Sequence, residues 1–503
     1  MLLSVKDLCV EFRDKVAVDH VNFQVDENEI VGIIGESGSG KSVSVLSVMG
    51  LLNDDAKVSG SALFDGKDLS ELKLNERQMY KGKEISMVFQ EPMTSLNPLM
   101  KIGRQVEEVM LLHPEAFSEL TEEQRKAKVI ETLQIVGLDH PEQIVSMYPH
   151  ELSGGMRQRV MIAIALIGQP RLMIADEPTT ALDVVLQEQI LQLLKELNKK
   201  LHMSVLFISH NMSIVRNFCD RVYVMQNGKI VETGTPEQIF KHPKEKYTQI
   251  LIASIPDGTP REDKDDVLDE PVLELKDFSA FYPKKKKHFF EKGGRVCIVD
   301  HVDLTIHAGE CVGLVGRSGC GKSTLSKGIL GLLKDTEGAV IHHSKHPQMI
   351  FQDPYSSLNP KKKIGWILKQ PLALRTDLTP DEKSKIVIEM VQKVGLKPEV
   401  LDRYPRELSG GMRQRISIAI ALVQGSKFII ADEPVSALDV TVQKQILELF
   451  LKVQRETNIA FLFISHDRDV VKQMCHRIVY MADGKLSDEE KGKEILDKDA
   501  PVC

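Results

Sequence analysis

The sequence contains no run of about eighteen apolar residues, the length a helix needs to cross a bilayer. Its opening stretch, MLLSVKDLCVEF, meets Asp7 and Glu11 too early for a secretory signal. A cytoplasmic protein is expected, with any membrane contact made through a partner. A basic excess is lacking too: net charge −7 and a pI near 6.1 argue against sequence-independent nucleic-acid binding. The seven cysteines form no CxxC pair and no dense framework. That excludes a disulfide scaffold and paired zinc ligands, and favours a reducing compartment.

What the chain does have is repetition. Its 503 residues leave room for two or three domains, and one plan is written twice. LSGGMRQR begins at Leu152 and again at Leu408, each time followed by a helix-compatible run and an apolar strand ending in two carboxylates, Asp176 with Glu177 and Asp432 with Glu433. Upstream, each copy opens with alternating, strand-like runs that lead into a glycine-rich loop. The first loop is Gly35, Glu36, Ser37, Gly38, Ser39, Gly40, Lys41 and Ser42. Its counterpart is Gly316, Arg317, Ser318, Gly319, Cys320, Gly321, Lys322 and Ser323. Residues 256–271 between the copies, PDGTPREDKDDVLDEP, are acidic and proline-bounded and read as a flexible linker. The expected domains are therefore residues 1–255 and 272–503.

Both loops match GxxxxGK[ST] with an apolar strand before and a helix-compatible run after. In such a loop, backbone N–H groups wrap phosphates, Lys41 and Lys322 reach the β- and γ-phosphates, and the Ser42 and Ser323 hydroxyls can ligate Mg²⁺. A lone match could be a glycine turn; two in register with two downstream repeats are not. The next residue is Val43 in one copy and Thr324 in the other, so a hydroxyl able to bond the α-phosphate is missing from the first. Gln90 and Gln352 end strands in MVFQEP and MIFQDP, where an amide can touch both the metal shell and a mobile segment beyond; either one alone reads better as a surface amide at a strand end. Asp176 and Asp432 are expected to hold Mg²⁺ directly or through water, with Glu177 and Glu433 orienting or deprotonating the attacking water. A buried acidic pair without a cation would be expensive. His210 and His466 close strands in ISH at the same interval after each LSGG and can bond a γ-phosphate. Ser153, Gly154 and Gly155, like Ser409, Gly410 and Gly411, open a helix whose free N–H groups suit a phosphate.

Other stretches are less telling. Asp183 and Asp439 fit helix N-caps, and residues 100–148 and 361–404 read as an inserted helical subdomain. The shorter interval before Gln352 implies a trimmed β-rich edge. The PKKKKHFF run from Pro283 is expected to be a solvated hairpin tip, and Cys219 and Cys475, at equivalent places, to be packing residues. Cys320 lies inside a phosphate loop, where a helix N-terminus should lower its thiol pKa.

Together these motifs resemble two ATP-binding cassettes of the ABC transporter superfamily fused in tandem. The finer pattern Q(E/D)PxxSLNP, YPxELSGGMRQR and ALDVxxQxQIL resembles the ATPase subunits of peptide and nickel uptake transporters. The resemblance implies an α/β protein with two tandem P-loop NTPase (ABC ATPase) domains, each with a β-rich edge subdomain and an inserted helical subdomain. It implies ATP and Mg²⁺ as ligands and import of oligopeptides, dipeptides or nickel. The implied partners are two transmembrane permease subunits and, through them, an extracellular substrate-binding protein, with the chain on the cytoplasmic face of the membrane. Adenine would stack on Phe12 and Tyr282, with Phe281 a competitor. The first copy lacks the cysteine-containing tail of many members, and the second lacks their HPYT-like segment. Alternatives are the ATPase of an exporter and a soluble twin-cassette translation factor, although the latter proteins carry a long charged helical linker. Head-to-tail packing of the cassettes is expected, with Ser153 over the nucleotide on Lys322 and Ser409 over that on Lys41, because it satisfies otherwise idle helix-start donors.

Overall fold

A computed structural model describes residues 1–487 apart from 14, 91, 180, 181, 183, 262–266, 285–293, 318, 374 and 437. The chain divides into two compact units, Met1–Ile255 and Pro256–Cys503. Asp183, Ser318, most of the lysine-rich run after Pro283, and the tail that includes Cys503 lie outside the described residues.

In the first unit the strands are β1 (Leu3–Phe12), β2 (Lys15–Val25), β3 (Ile30–Ile34), β4 (Ala56–Phe64), β5 (Lys67–Asp68), β6 (Ile85–Val88), β7 (Leu172–Asp176), β8 (Ser204–Ser209), β9 (Arg221–Gln226) and β10 (Lys229–Gly234). Their patterning separates them into two sheets. β1 and β2 mix buried and exposed residues, as antiparallel strands with a single covered face do, and join β4 and β5 in the order β2-β1-β4-β5. IVGII in β3, LMIAD in β7 and SVLFIS in β8 are buried at every residue, because parallel strands are covered on both faces. They lie in the order β10-β9-β3-β8-β7-β6, with β3, β6, β7, β8 and β9 parallel and β10 antiparallel at the edge.

The second unit repeats the plan with β11 (Pro271–Pro283), β12 (Arg295–His307), β13 (Cys311–Gly316), β14 (Thr336–His342), β15 (Gln348–Ile350), β16 (Phe428–Asp432), β17 (Ala460–Ile464), β18 (Arg477–Ala482) and β19 (Lys485–Ser487). Its sheets run β12-β11-β14 and β15-β16-β17-β13-β18-β19. The trimmed interval shows at the edge: β5 and the helix Leu74–Gln78 of the first unit have no counterpart among the described residues.

Helices intervene between β6 and β7, as the periodicity predicts. Glu122–Ile135 starts at a capping box of Thr121 and Gln124, and its counterpart Pro380–Lys393 at one of Thr379 and Glu382. Two described residues of the linker stretch bond to the second unit. Arg261 N donates to Lys472 O at 3.1 Å, its Nη1 donates to Gln454 Oε1 at 2.6 Å, and Leu268 N donates to Ala308 O at 2.9 Å. A guanidinium offers five donors, enough to anchor a segment that composition alone marks as free. Among the described residues, no helix is long and apolar enough to cross a membrane.

Candidate active site

The C-terminal ends of four adjacent strands carry the chemistry in each unit. In the order β3-β8-β7-β6 they deliver the glycine-rich loop, His210, Asp176 with Glu177, and Gln90; β13, β17, β16 and β15 deliver the same set in the second unit. The loop needs glycine where backbone approaches backbone. Gly40 has φ 105°, and a Cβ there would lie 2.7 Å from Ala17 O. Lys41, 5 % exposed, heads the helix Lys41–Met49, and its Nζ donates to Gly35 O and Glu36 O, both at 2.8 Å. Lys322 Nζ donates likewise to Gly316 O at 2.7 Å and Arg317 O at 2.8 Å. Each ammonium closes the loop on itself.

Beside the lysine sits a buried carboxylate. Ser42 Oγ donates to Asp176 Oδ1 at 3.0 Å, and Ser323 Oγ to Asp432 Oδ2 at 3.4 Å. Burial pushes the Asp176 carboxyl up to about 6; the Ser42 bond opposes, and the neighbouring Glu177 charge adds to the rise. Asp432 is raised for the same leading reason.

Glu177 and Glu433 both have φ 47°, a left-handed backbone that is costly for a side chain of this size. Bonds from Glu177 N to Ile208 O at 3.0 Å and from Glu433 N to Ile464 O at 2.9 Å hold the turn. Gln90 Nε2 donates to Glu177 Oε2 at 2.8 Å, and His210 Nδ1 lies 3.1 Å from that same oxygen. In the second unit Gln352 Nε2 donates to Glu433 Oε2 at 2.7 Å, while His466 Nδ1 lies 3.4 Å from Oε1. Burial alone would raise the Glu433 carboxyl, yet the His466 hydrogen bond and charge hold it below its ordinary range. The same bond raises His466. The glutamate is thus parked, and an approaching phosphate that draws off the glutamine or histidine would make it a better base.

The LSGG residues stand apart from these clusters. Ser153 Oγ accepts from Met156 N at 3.3 Å and Ser409 Oγ from Met412 N at 3.4 Å, so both cap the helix they open. A Cβ on Gly154 would meet nothing within 4 Å, whereas one on Gly155 would lie 3.0 Å from Leu186 Cδ1 and one on Gly411 2.5 Å from Val442 Cγ1; Gly410 would find only Leu438, at 3.7 Å. The rest of the motif is structural, which the sequence reading did not separate out. Arg157 Nε donates to Pro149 O at 2.7 Å, Arg159 Nη1 to Val136 O at 2.6 Å, and Tyr148 N to Glu151 Oε2 at 2.7 Å, tying the helix start to the preceding helices. That last bond explains the YPxE spacing.

Phe12 ends β1, partly packed on the first unit's core, and Tyr282, 37 % exposed, stands near the end of β11. Phe281 carries the Arg295 guanidinium 3.9 Å from its ring centroid, so that face already has a cation on it. Asp439 takes the N-cap position of Val440–Thr457, and Cys219 and Cys475 are buried. Cys320 overturns an expectation: burial outweighs the nearby Lys322 charge and backbone N–H groups, and the thiol pKa is raised.

A family model described as "ABC transporter" matches residues 18–180 and 299–436. The chain belongs to that family. As an ABC ATPase it carries two nucleotide-hydrolysing cassettes. It is similar to the "Peptidoglycan transport ATP-binding protein YejF" of Agrobacterium fabrum, 44 % identical over 98 % of this chain and 93 % of that one. The "Glutathione import ATP-binding protein GsiA" of Salmonella choleraesuis is 40 % identical over 96 % of this chain and 85 % of its own length. Among solved structures, the "RNase-L Inhibitor" is 19 % identical with TM-score 0.63, covering 98 % of this chain and 93 % of that one, a likeness of fold alone.

A divalent cation fits this ABC site. Asp176 is a buried carboxylate whose charge is only partly balanced, and Ser42 with Asp176, like Ser323 with Asp432, offers oxygen donors suited to a hard ion.

Proposed function

We propose that the chain is the MgATP-hydrolysing subunit of an importer for small peptides, working at the cytoplasmic face of the membrane with two permease subunits fed by an external substrate-binding protein. The observation that carries the ATPase reading is the duplicated hub in which a glutamine and a histidine hold one glutamate beside a buried Ser–Asp pair and a loop lysine. The cargo class is supported by relatives named for glutathione import and peptidoglycan transport; nickel is the narrower alternative.

Phosphoryl transfer to water asks mainly for alignment and charge stabilisation. Lys41 and Lys322 exchange loop carbonyls for phosphate oxygens, and Glu177 and Glu433 orient the attacking water and take its proton. His210 and His466 keep each glutamate in position. The serine, aspartate and glutamine of each site would hold Mg²⁺, which would supply positive charge to the phosphates. The adenine ring stacks on Phe12 or Tyr282. The remaining phosphate contacts come from the other cassette's helix start, so that Ser409, Gly410 and Gly411 serve Lys41, and Ser153, Gly154 and Gly155 serve Lys322. The reading is supported by the exposed start of each LSGG helix, whose N–H groups suit a phosphate.

The test counts occluded ATP in a Glu177→Gln/Glu433→Gln background. Lys41→Ala with Ser409→Arg damages one composite site twice and should keep one ATP per chain, whereas Lys41→Ala with Ser153→Arg should keep none. The reverse result would mean that each cassette works alone. A pull-down from membranes should recover the permease subunits, and turnover should rise when they are present.

A further inference from the structure

The helix Lys246–Ala253 closes the first unit and belongs to none of the nucleotide motifs. It is set in place by Glu232 on β10, whose Oε1 accepts from Lys244 N at 2.8 Å and Oε2 from Glu245 N at 3.1 Å. Thr248, fully buried, packs its inner side. This anchoring brings the Tyr247 hydroxyl to the phosphate loop, where it accepts a hydrogen bond from Glu36 N at 3.2 Å. One loop peptide is thereby held at both ends, its N–H by Tyr247 and its carbonyl by Lys41 Nζ at 2.8 Å.

These two bonds have different fates. A lysine ammonium that turns to a phosphate loosens its hold on the Glu36 carbonyl, whereas the tyrosine hydroxyl comes from a helix outside the loop and can go on holding its mouth. We propose that Tyr247 is a positioning residue of the first ATP site, through which the helix after the cassette keeps the phosphate loop in its binding shape. The inference rests on the ATPase reading above. A loop already in its bound shape binds more tightly because less ordering remains to be done. Tyr247 belongs to the first unit, so the second site serves as an internal reference.

The test uses the full chain and a slowly hydrolysed ATP analogue. In a Lys322→Ala background, which confines binding to the first site, Tyr247→Phe should weaken analogue binding about fivefold, the size of effect one neutral hydrogen bond supports. In a Lys41→Ala background, which reports the second site, Tyr247→Phe should leave binding within twofold. The unfolding temperature without nucleotide should fall by no more than the loss of one hydrogen bond explains. With both sites intact, KM should rise while kcat holds. First-site affinity unchanged within twofold, or both sites weakened alike, would overturn the proposal. If the Lys322→Ala parent binds no nucleotide at all, the ATPase reading falls, and this inference with it.

Discussion

The two cassettes keep the same hub but not the same surroundings. In the first, glutamine and histidine converge on a single oxygen, Glu177 Oε2; in the second they divide between Glu433 Oε2 and Oε1. The Ser–Asp bond is 3.0 Å in the first and 3.4 Å in the second. Among the described residues, the β-rich edge has four strands in one and three in the other. On that edge, His20 N donates to Cys9 Sγ at 3.2 Å where His301 N donates to Ser279 Oγ at 2.9 Å, so a thiol and a hydroxyl fill the same structural role. The comparison separates what the reaction needs from what the fold tolerates: the hub survives duplication, and the edges drift.

The largest test of that view removes the glutamate charge in each copy. Glu177→Gln and Glu433→Gln should each slow single-turnover hydrolysis at their own site by about 10²–10⁴-fold, the usual contribution of a general base, with ATP binding retained. Similar losses would sharpen the comparison. A loss of less than about threefold in one copy would mean that its hub is not catalytic, and the equivalence would break.

Next in size is the buried aspartate, where the copies should differ in degree. A carboxyl whose folded-state pKa is raised binds its proton more tightly in the folded chain, so its favourable contribution is complete below about pH 4 and is lost as pH rises toward about 6. At pH 7.5 the ionised Asp176 therefore destabilises the ligand-free first cassette, by about 3 kcal/mol from that rise. Asp176→Asn should raise its unfolding temperature at pH 7.5, gain nothing near pH 4, and abolish the benefit of adding Mg²⁺ with ATP. Asp432→Asn should act in the same direction in the second cassette. Calorimetry across pH checks both, and a stability loss at pH 7.5 would contradict the uncompensated charge.

Most of this site was legible because phosphate chemistry is written in short, ordered motifs. GESGSGKS, LMIADE and ISH each sit where an all-buried parallel strand ends, so the strand run located the motif and the motif named its role. What stayed hidden needed three-dimensional neighbours. Arg261 read as one charge in an acidic linker, because nothing local reveals that Gln454 and the Met474 carbonyl receive it. Tyr247 was invisible for the same reason, its partner Glu36 lying more than two hundred residues earlier in the chain. Cys320 was misjudged because loop membership predicts a helix-end field, whereas burial depends on side chains packed from elsewhere.

Smaller effects should come from the paired glycines. Gly411→Ala should cost about 1–3 kcal/mol, since a Cβ 2.5 Å from Val442 forces an overpacked helix contact to shift. Gly155→Ala, with Leu186 Cδ1 at 3.0 Å and a flexible side chain to move, should cost about 1 kcal/mol or less. Gly154→Ala meets nothing in its own unit, so the unfolding temperature should hold while ATP occlusion falls. Equal destabilisation at Gly154 and Gly155 would remove the reason for assigning Gly154 to a ligand outside its own unit.

The smallest expected effect lies in the loops themselves, where Cys320 stands in the place of Ser39. Two influences compete at that thiol: the Lys322 charge and backbone N–H groups favour the thiolate, and burial, the larger of the two, disfavours it. A thiol with a raised pKa is almost wholly protonated at pH 7, and its alkylation rate should still be climbing at pH 9, with ATP slowing labelling at every pH. Mass spectrometry of the labelled chain isolates this cysteine from the other six. A rate that levels off near pH 7 would mean that the helix start governs after all, and the second loop would then carry a reactive nucleophile that the first lacks. If burial governs, the thiol is a slightly larger serine, and Cys320→Ser should leave ATP affinity at the second site within about twofold, because the bonds that hold nucleotide there come from the backbone and Lys322 and not from this side chain.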